Sequence, residues 1–178
     1  MNDDQIIVNF LAGDRQAFHV LYNRHKKAIY GFCWRMLGDG ELAKDGVQET
    51  FLRAFAKREQ LREPRFFKTW LYSIAHRYCL SSKRHPLPRW EQLCHSHPEP
   101  ASPDSELDVL GVDLLTAALQ RLKADYREVV VLREYDGLTY QEMAQVTGTT
   151  ISAVKSKLFK ARRQLLAILR PQLQENVL

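Results

Sequence analysis

Five of this chain's seven prolines, Pro86, Pro88, Pro98, Pro100 and Pro103, crowd into one short stretch. Proline lacks the backbone N–H that helices and sheets use, and its ring clashes with the preceding helical turn, so no packed element is expected there. The chain therefore reads as two folded blocks, residues 1–85 and 109–178, joined by a flexible linker over residues 86–108. Charge follows the same division. The first block holds 15 Lys and Arg against 9 Asp and Glu, the linker 1 against 5, and the last block 10 against 7. Two basic units flanking an acidic connector suit a polyanionic partner. With 178 residues and 45% apolar content, there is room for one globular domain or two small ones.

Both blocks carry apolar residues at helical spacing, and no strand-like alternation of useful length appears, so the fold expected is all-α. Four helices are expected in the first block. One runs from about Asp3 to Leu11. A long one follows from about Arg15 to Leu37, capped by Asp14 and ended by Gly38, with Phe18, Leu21, Tyr22, His25, Ile29, Phe32, Cys33 and Met36 on one stripe. The third, from about Glu41 to Lys57, buries Ala43, Val47, Phe51, Ala54 and Phe55, which turns Asp45, Gln48, Glu49 and Leu52 outward. The fourth, from about Phe66 to Arg84, packs Phe67, Trp70, Leu71, Ile74 and Tyr78.

The stretch from Asp125 to Arg170 has the local chemistry of a helix-turn-helix. Thr139 can cap a helix starting near Tyr140, and Glu142, three residues on, completes a capping box. Gly148 frees the backbone for a sharp turn, and Thr149 or Thr150 can cap a second helix from Ile151. In that helix Ile151, Val154, Leu158, Ala161 and Leu165 form one apolar stripe. At 100° per residue, Ser152, Ser156, Phe159, Lys160 and Arg163 then point away from it, with Lys155 on the flank. No acidic residue lies between Ile151 and Arg170. A capped turn followed by a purely cationic helix suits the major groove of DNA, and an aromatic on its polar face can meet a thymine methyl.

The fourth helix of the first block repeats this electrostatic pattern. No acidic residue lies between Arg65 and His85, and Phe66, Trp70, Tyr72 and Tyr78 are interleaved with the cations. Such a surface can track phosphates and stack unpaired bases. Core packing accounts for Phe67, Trp70 and Tyr78, and leaves Tyr72 and His76 as the exposed candidates.

Other chemistry is sparse. Cys33, Cys79 and Cys94 are unevenly spaced and fit reduced thiols better than a disulfide framework. Cys94-His95-Ser96-His97 is too compressed for a usual zinc site. No triad, paired-carboxylate or phosphate-loop pattern supports an enzyme, and no cofactor is expected. The absence of a secretory leader and of any long apolar run points to a cytoplasmic protein without direct membrane insertion.

Several motifs carry a family likeness. They are Asp45-Gly46-Val47-Gln48-Glu49-Thr50-Phe51-Leu52-Arg53-Ala54-Phe55, Trp70-Leu71-Tyr72-Ser73-Ile74-Ala75, Tyr140-Gln141-Glu142-Met143-Ala144 and Val154-Lys155-Ser156-Lys157-Leu158-Phe159-Lys160-Ala161-Arg162. In order and spacing, over nearly the whole chain, this resembles the extracytoplasmic-function (ECF) family of bacterial RNA polymerase sigma factors. The resemblance implies a sigma region 2 domain in residues 1–85 and a sigma region 4 domain in residues 109–178. Asp45, Gln48, Glu49 and Leu52 would dock on the beta-prime clamp helices of core RNA polymerase, whose beta subunit is also a partner. Arg62, Arg65, Lys68, Tyr72, His76 and Arg77 would meet the minus-ten element of promoter DNA as it opens. Ser152, Lys155, Ser156, Phe159, Lys160 and Arg163 would read the minus-thirty-five element. The acidic linker would either thread toward the polymerase active-site channel or serve only as a tether.

The family also implies an anti-sigma factor as partner, often membrane-tethered. Three departures qualify the match: Gly46 stands where leucine is usual, Arg77 where asparagine is common, and Lys155 and Lys160 where arginine is frequent. Glycine inside a helix costs about 1 kcal/mol relative to alanine, which predicts a locally weaker docking helix. Two other classes fit the same residues. A stand-alone helix-turn-helix regulator would bind duplex without polymerase, and a signalling adaptor would bind protein alone.

Overall fold

The computed structural model describes residues 3–84 and 106–175, and every regular element among them is helical. The first unit comprises α1 (Asp3–Leu11), α2 (Arg15–Leu37), α3 (Gly40–Ala56), two short 3₁₀ turns at Arg58–Gln60 and Pro64–Phe66, and α4 (Phe67–Arg84). The second comprises α5 (Glu106–Arg121), α6 (Ala124–Val130), α7 (Tyr140–Thr147) and α8 (Ile151–Glu175). The expected linker lies largely outside the described residues, as do Cys94, His95 and His97; its last three positions, from Glu106, open α5.

The punctuation of the helices is local chemistry. Asp14 accepts a hydrogen bond from the Gln16 backbone N–H at the start of α2, and Gly38 ends the helix in the left-handed conformation, at φ 74°. Asp39 then caps α3 through the Leu42 N–H. At α7 the Thr139 hydroxyl accepts from the Glu142 N–H while the Glu142 carboxylate accepts from the Thr139 N–H, so the capping box is complete.

The core of the first unit is rich in aromatic rings. Phe10 meets Phe67 edge-on at 5.7 Å, Phe18 meets Phe55 at 5.2 Å, and Tyr22 meets Phe51 at 4.9 Å, which pins α1 to α4 and α2 to α3. Cys33 and Cys79 are buried free thiols. Gly46 has a packing role that spacing did not reveal. A β-carbon there would lie 2.9 Å from both Cys33 Sγ and the Tyr78 ring, so α3 approaches α2 and α4 too closely for any side chain. The glycine expected to weaken the docking helix is what lets that helix pack.

The two units are not held apart. α4 packs on α7, and α2 meets α5 and α6. Buried apolar side chains of both units form one continuous cluster, and polar contacts are set into their seam. Arg127 is buried and hydrogen bonds to the carbonyls of Leu119, Gln120 and Leu122 at the end of α5, and, at 2.7 Å, to the carbonyl of Met36 at the end of α2. A cation among helix C-terminal carbonyls meets their partial negative charge. Burial nevertheless lowers its pKa from the ordinary arginine value. Gln120 Nε2 also donates to the Arg35 carbonyl at 2.8 Å.

Candidate nucleic-acid and polymerase interfaces

The outer face of α8 is built from its inner one. Val154, Leu158 and Ala161 are buried against the second unit, and Leu165 is half-buried. Ile151, expected to continue that stripe, stands 39% exposed at the mouth of the helix, because the turn before it leaves it no neighbour layer to enter. Gly148 makes the turn at φ 65°, and the Gly148 and Thr149 N–H groups both close on the Ala144 carbonyl. Thr150 then caps α8 by accepting from the Ala153 N–H at 3.2 Å.

This orientation divides the cations of α8 into two groups. Arg162 is tied to Glu134 at 2.5 Å, and Lys157 lies 3.7 Å from Asp125. Both are thereby drawn back toward their own unit. Ser152, Lys155, Ser156, Phe159, Lys160 and Arg163 all remain exposed, with Phe159 exposed at 63% and the Arg163 guanidinium 5.9 Å from its ring. Tyr140 was not singled out from the sequence, yet its ring lies 5.4 Å from Lys155 Nζ and 4.9 Å from the Arg133 guanidinium. An aromatic opening a capped helix just ahead of a basic one was the available signal.

On α3, Asp45 and Gln48 are exposed and Leu52 is 56% exposed, as the helical spacing predicted. Glu49 is half-buried, its carboxylate held by Arg53 one turn on. The face therefore offers one carboxylate outright, one shared with an arginine, and an apolar centre. That mixture fits a polar-rimmed protein contact.

The third group separates. Arg62, Arg65, Lys68 and Arg77 are exposed. Arg65 pairs with Glu63 at 2.7 Å and stacks 4.7 Å from the ring of Phe66, itself exposed beside it. Tyr72 and His76, expected to be outside and available, are not: they are 2% and 7% exposed. They lie under the second unit. The Tyr72 hydroxyl donates to the Asp136 carboxylate at 2.8 Å, Lys68 Nζ donates to the Asp136 carbonyl at 3.1 Å, and His76 Nδ1 faces the Glu128 carboxylate. Arg35 adds a guanidinium 4.0 Å from the Tyr135 ring.

The second unit reaches α4 by a local irregularity. After Val130 the chain widens into one π turn over Val131–Tyr135, closed by the Asp136 N–H on the Val131 carbonyl, and Gly137 follows at φ 65°. Tyr135 and Asp136 thus stand at the end of α6, against the first unit. Burial raises the Asp136 pKa to about 6, although the Tyr72 hydrogen bond, Arg35 and Lys68 pull the other way. Burial, followed by the charge and hydrogen bond of Asp136, drives the Tyr72 hydroxyl well above the ordinary tyrosine range.

A helix-turn-helix with an outward cationic helix, joined to a helical bundle with a mixed acidic and apolar face, defines a DNA-binding factor that also docks on protein. Residues 21–85 match the family described as Sigma-70 region 2, and residues 113–165 the one described as Sigma-70, region 4. The RNA polymerase sigma factor CarQ of Myxococcus xanthus is 32% identical over 90% of this chain and 93% of that protein. The RNA polymerase sigma-H factor of Pseudomonas aeruginosa is 28% identical over 97% of this chain and 96% of its own length. Among solved structures, the sigma factor RpoE in complex with the anti-sigma factor NepR from Bartonella quintana superposes with a TM-score of 0.72. It is 25% identical, over 86% of this chain and 96% of that one. The chain belongs to the extracytoplasmic-function family of bacterial RNA polymerase sigma factors. It is a transcription initiation factor. Among the described residues, no helix is long and apolar enough to cross a membrane.

Proposed function

We propose that this sigma factor divides its work between residues 1–85, which bind core polymerase and the minus-ten element, and residues 109–178, which read the minus-thirty-five element, with residues 86–108 as an acidic tether. The observation that carries the reading is the partition of charge on α8: Lys157 and Arg162 are drawn inward, while Lys155, Ser156, Phe159, Lys160 and Arg163 share one exposed face. Lysine lacks the planar fork that grips guanine in bidentate fashion, so Lys155 and Lys160 serve chiefly phosphates. Specificity then falls more heavily on Ser152, Ser156, Phe159 and Arg163.

On the first unit, Asp45, Gln48, Glu49 and Leu52 meet the beta-prime clamp helices of core polymerase. Arg62, Arg65, Lys68 and Arg77, with Phe66 as a stacking ring, meet the minus-ten strand. Opening a duplex costs a few kcal/mol per unstacked base, which such stacking and cationic contacts offset. Tyr72 and His76 join them only when the second unit leaves. NepR binds RpoE of Bartonella quintana, and an anti-sigma factor, membrane-anchored or not, is the matching partner here, in the cytoplasm.

The test mixes purified chain with core polymerase and a promoter library and reads factor-dependent run-off transcripts. Glu49→Lys should lower core binding, and Lys155→Ala with Lys160→Ala should lower promoter use with core binding intact. Transcripts untouched by both changes would overturn these site assignments.

A further inference from the structure

We propose that Glu134 keeps one promoter-binding arginine in reserve. Its carboxylate holds Arg162 in the free chain and yields it to a backbone phosphate when α8 meets the minus-thirty-five element. Glu134 thereby sets how tightly this sigma factor grips its promoters. The proposal deepens the reading of α8 as the promoter-facing helix, and rests on it.

Two cations of α8 are held by carboxylates of their own unit, and only one of them is placed to change partner. Lys157, two residues past Lys155, is carried about 160° round the helix at about 100° per residue, so its pair with Asp125 lies on the far flank. Arg162, seven residues past Lys155, returns to within about 20° of it, two turns along the same flank. A strand that Lys155 follows along this side therefore comes to Arg162 next.

The hold itself is one that phosphate can break. Arg162 Nε and Nη2 both converge on Oε1 of Glu134, at 3.1 and 2.5 Å, so two N–H groups share one oxygen instead of taking one each. Parallel bonds to two oxygens are the stronger arrangement for a guanidinium, and a phosphate presents them. Both side chains are about half exposed, 51% for Arg162 and 45% for Glu134, which leaves the pair open to water and screened by salt. The dense charge of a duplex backbone outcompetes a carboxylate so placed.

An anion is also useful there before DNA arrives. The Arg133 guanidinium and Lys155 Nζ share the Tyr140 ring, at 4.9 and 5.4 Å, on the side of α8 that bears Arg162. Three cations thus gather along one flank, and Glu134 offsets their repulsion in the free chain. Arg133 donates to the Leu138 carbonyl at 2.8 Å, a partner within its own loop, whereas Arg162 is tied to an exposed anion that it can exchange for another.

The experiment measures binding of the holoenzyme, core polymerase with the full chain, to promoter duplex across a salt series. Arg162→Ala should weaken binding about fivefold and flatten the slope of log affinity against log salt by about 0.9, the loss of one phosphate contact. Glu134→Gln keeps the shape and removes the charge, and should tighten binding about twofold to fivefold, the range over which an exposed ion pair competes. In the Arg162→Ala chain, Glu134→Gln should then add nothing. A slope that Arg162→Ala leaves unchanged would overturn the proposal, even with a lower Tm, because a purely structural pair behaves in that way. So would a gain from Glu134→Gln that survives without Arg162, since that gain is only the general repulsion of DNA by a carboxylate. Lys155→Ala with Lys160→Ala runs alongside. If promoter affinity is untouched by that change as well, the reading of α8 fails, and the two failures are thereby told apart.

Discussion

As stretches of sequence, α4 and α8 look alike: each is a basic helix with an aromatic or more among its cations, α4 without an acidic residue and α8 with none before its last, Glu175. As parts of a structure they have opposite fates. α8 keeps Phe159, Lys160 and Arg163 outside because only one of its faces has a neighbour, whereas residues 71–76 of α4 are buried on every side. The difference lies in what packs against each helix, since α4 is clasped by the first unit on one side and by α7 and the end of α6 on the other. A basic aromatic helix is therefore a potential nucleic-acid surface, and whether it is one in a given conformation depends on a second layer.

The strongest way to break this comparison is to disable α8 alone. Lys155→Ala with Lys160→Ala should weaken promoter binding by on the order of 100-fold and reduce the salt dependence by about two phosphate contacts. Lys68→Ala, whose ammonium is held by the Asp136 carbonyl, should leave duplex binding nearly unchanged in the same titration. Equal effects would erase the distinction between the helices.

Next in size, Gly46→Ala should destabilise the first unit by ~1–3 kcal/mol through overpacking against Cys33 and Tyr78, read as a lower Tm. Thr139→Ala should cost about 1 kcal/mol by removing half of the α7 capping box, and should loosen the frame that aims α8.

The smallest effect is on pH. The Asp136 carboxyl is raised to about 6 by burial, from 3.8, so the packed structure holds its proton more tightly than an unfolded chain exposing that group to water. Its contribution to the packing of the two units is fully present below pH 3.8 and is lost as pH rises through about 6. Tyr72 and Lys68 of α4, and Arg35 of α2, face this group, and the pair of His76 and Glu128 shares the seam. Tm should thus rise a little between pH 7.5 and pH 5.5, and Asp136→Asn should remove that part of the change.

What could be read from the residues was what neighbours in the chain decide. Asp14, Gly38, Thr139, Glu142 and Gly148 set helix ends by contacts a few residues long, and those ends fell within about a residue of expectation. The outward face of α8 and that of α3 followed from spacing for the same reason. Tyr72 and His76 were misplaced because spacing identifies the stripe a helix turns to its first neighbour and is silent about a second. Gly46 was read as a propensity penalty because no local pattern reports how closely two helices will cross. Ile151 obeyed the stripe in sequence but lay beyond the edge of the surface it should have covered. The residues of the seam, Arg127 and Asp136 above all, gave no warning, since their partners are as far as 91 and 68 positions away.

Arg127 carries a last consequence. Its ligands across and within the joint are carbonyl oxygens, which do not titrate, and its site is sheltered from counterions. Dissolved ions weaken such a buried ion–dipole contact far less than they weaken lysines resting on phosphates at a wet surface. Rising ionic strength therefore acts unequally on the molecule, screening the exposed lysines of α8 well before it loosens the joint at Arg127.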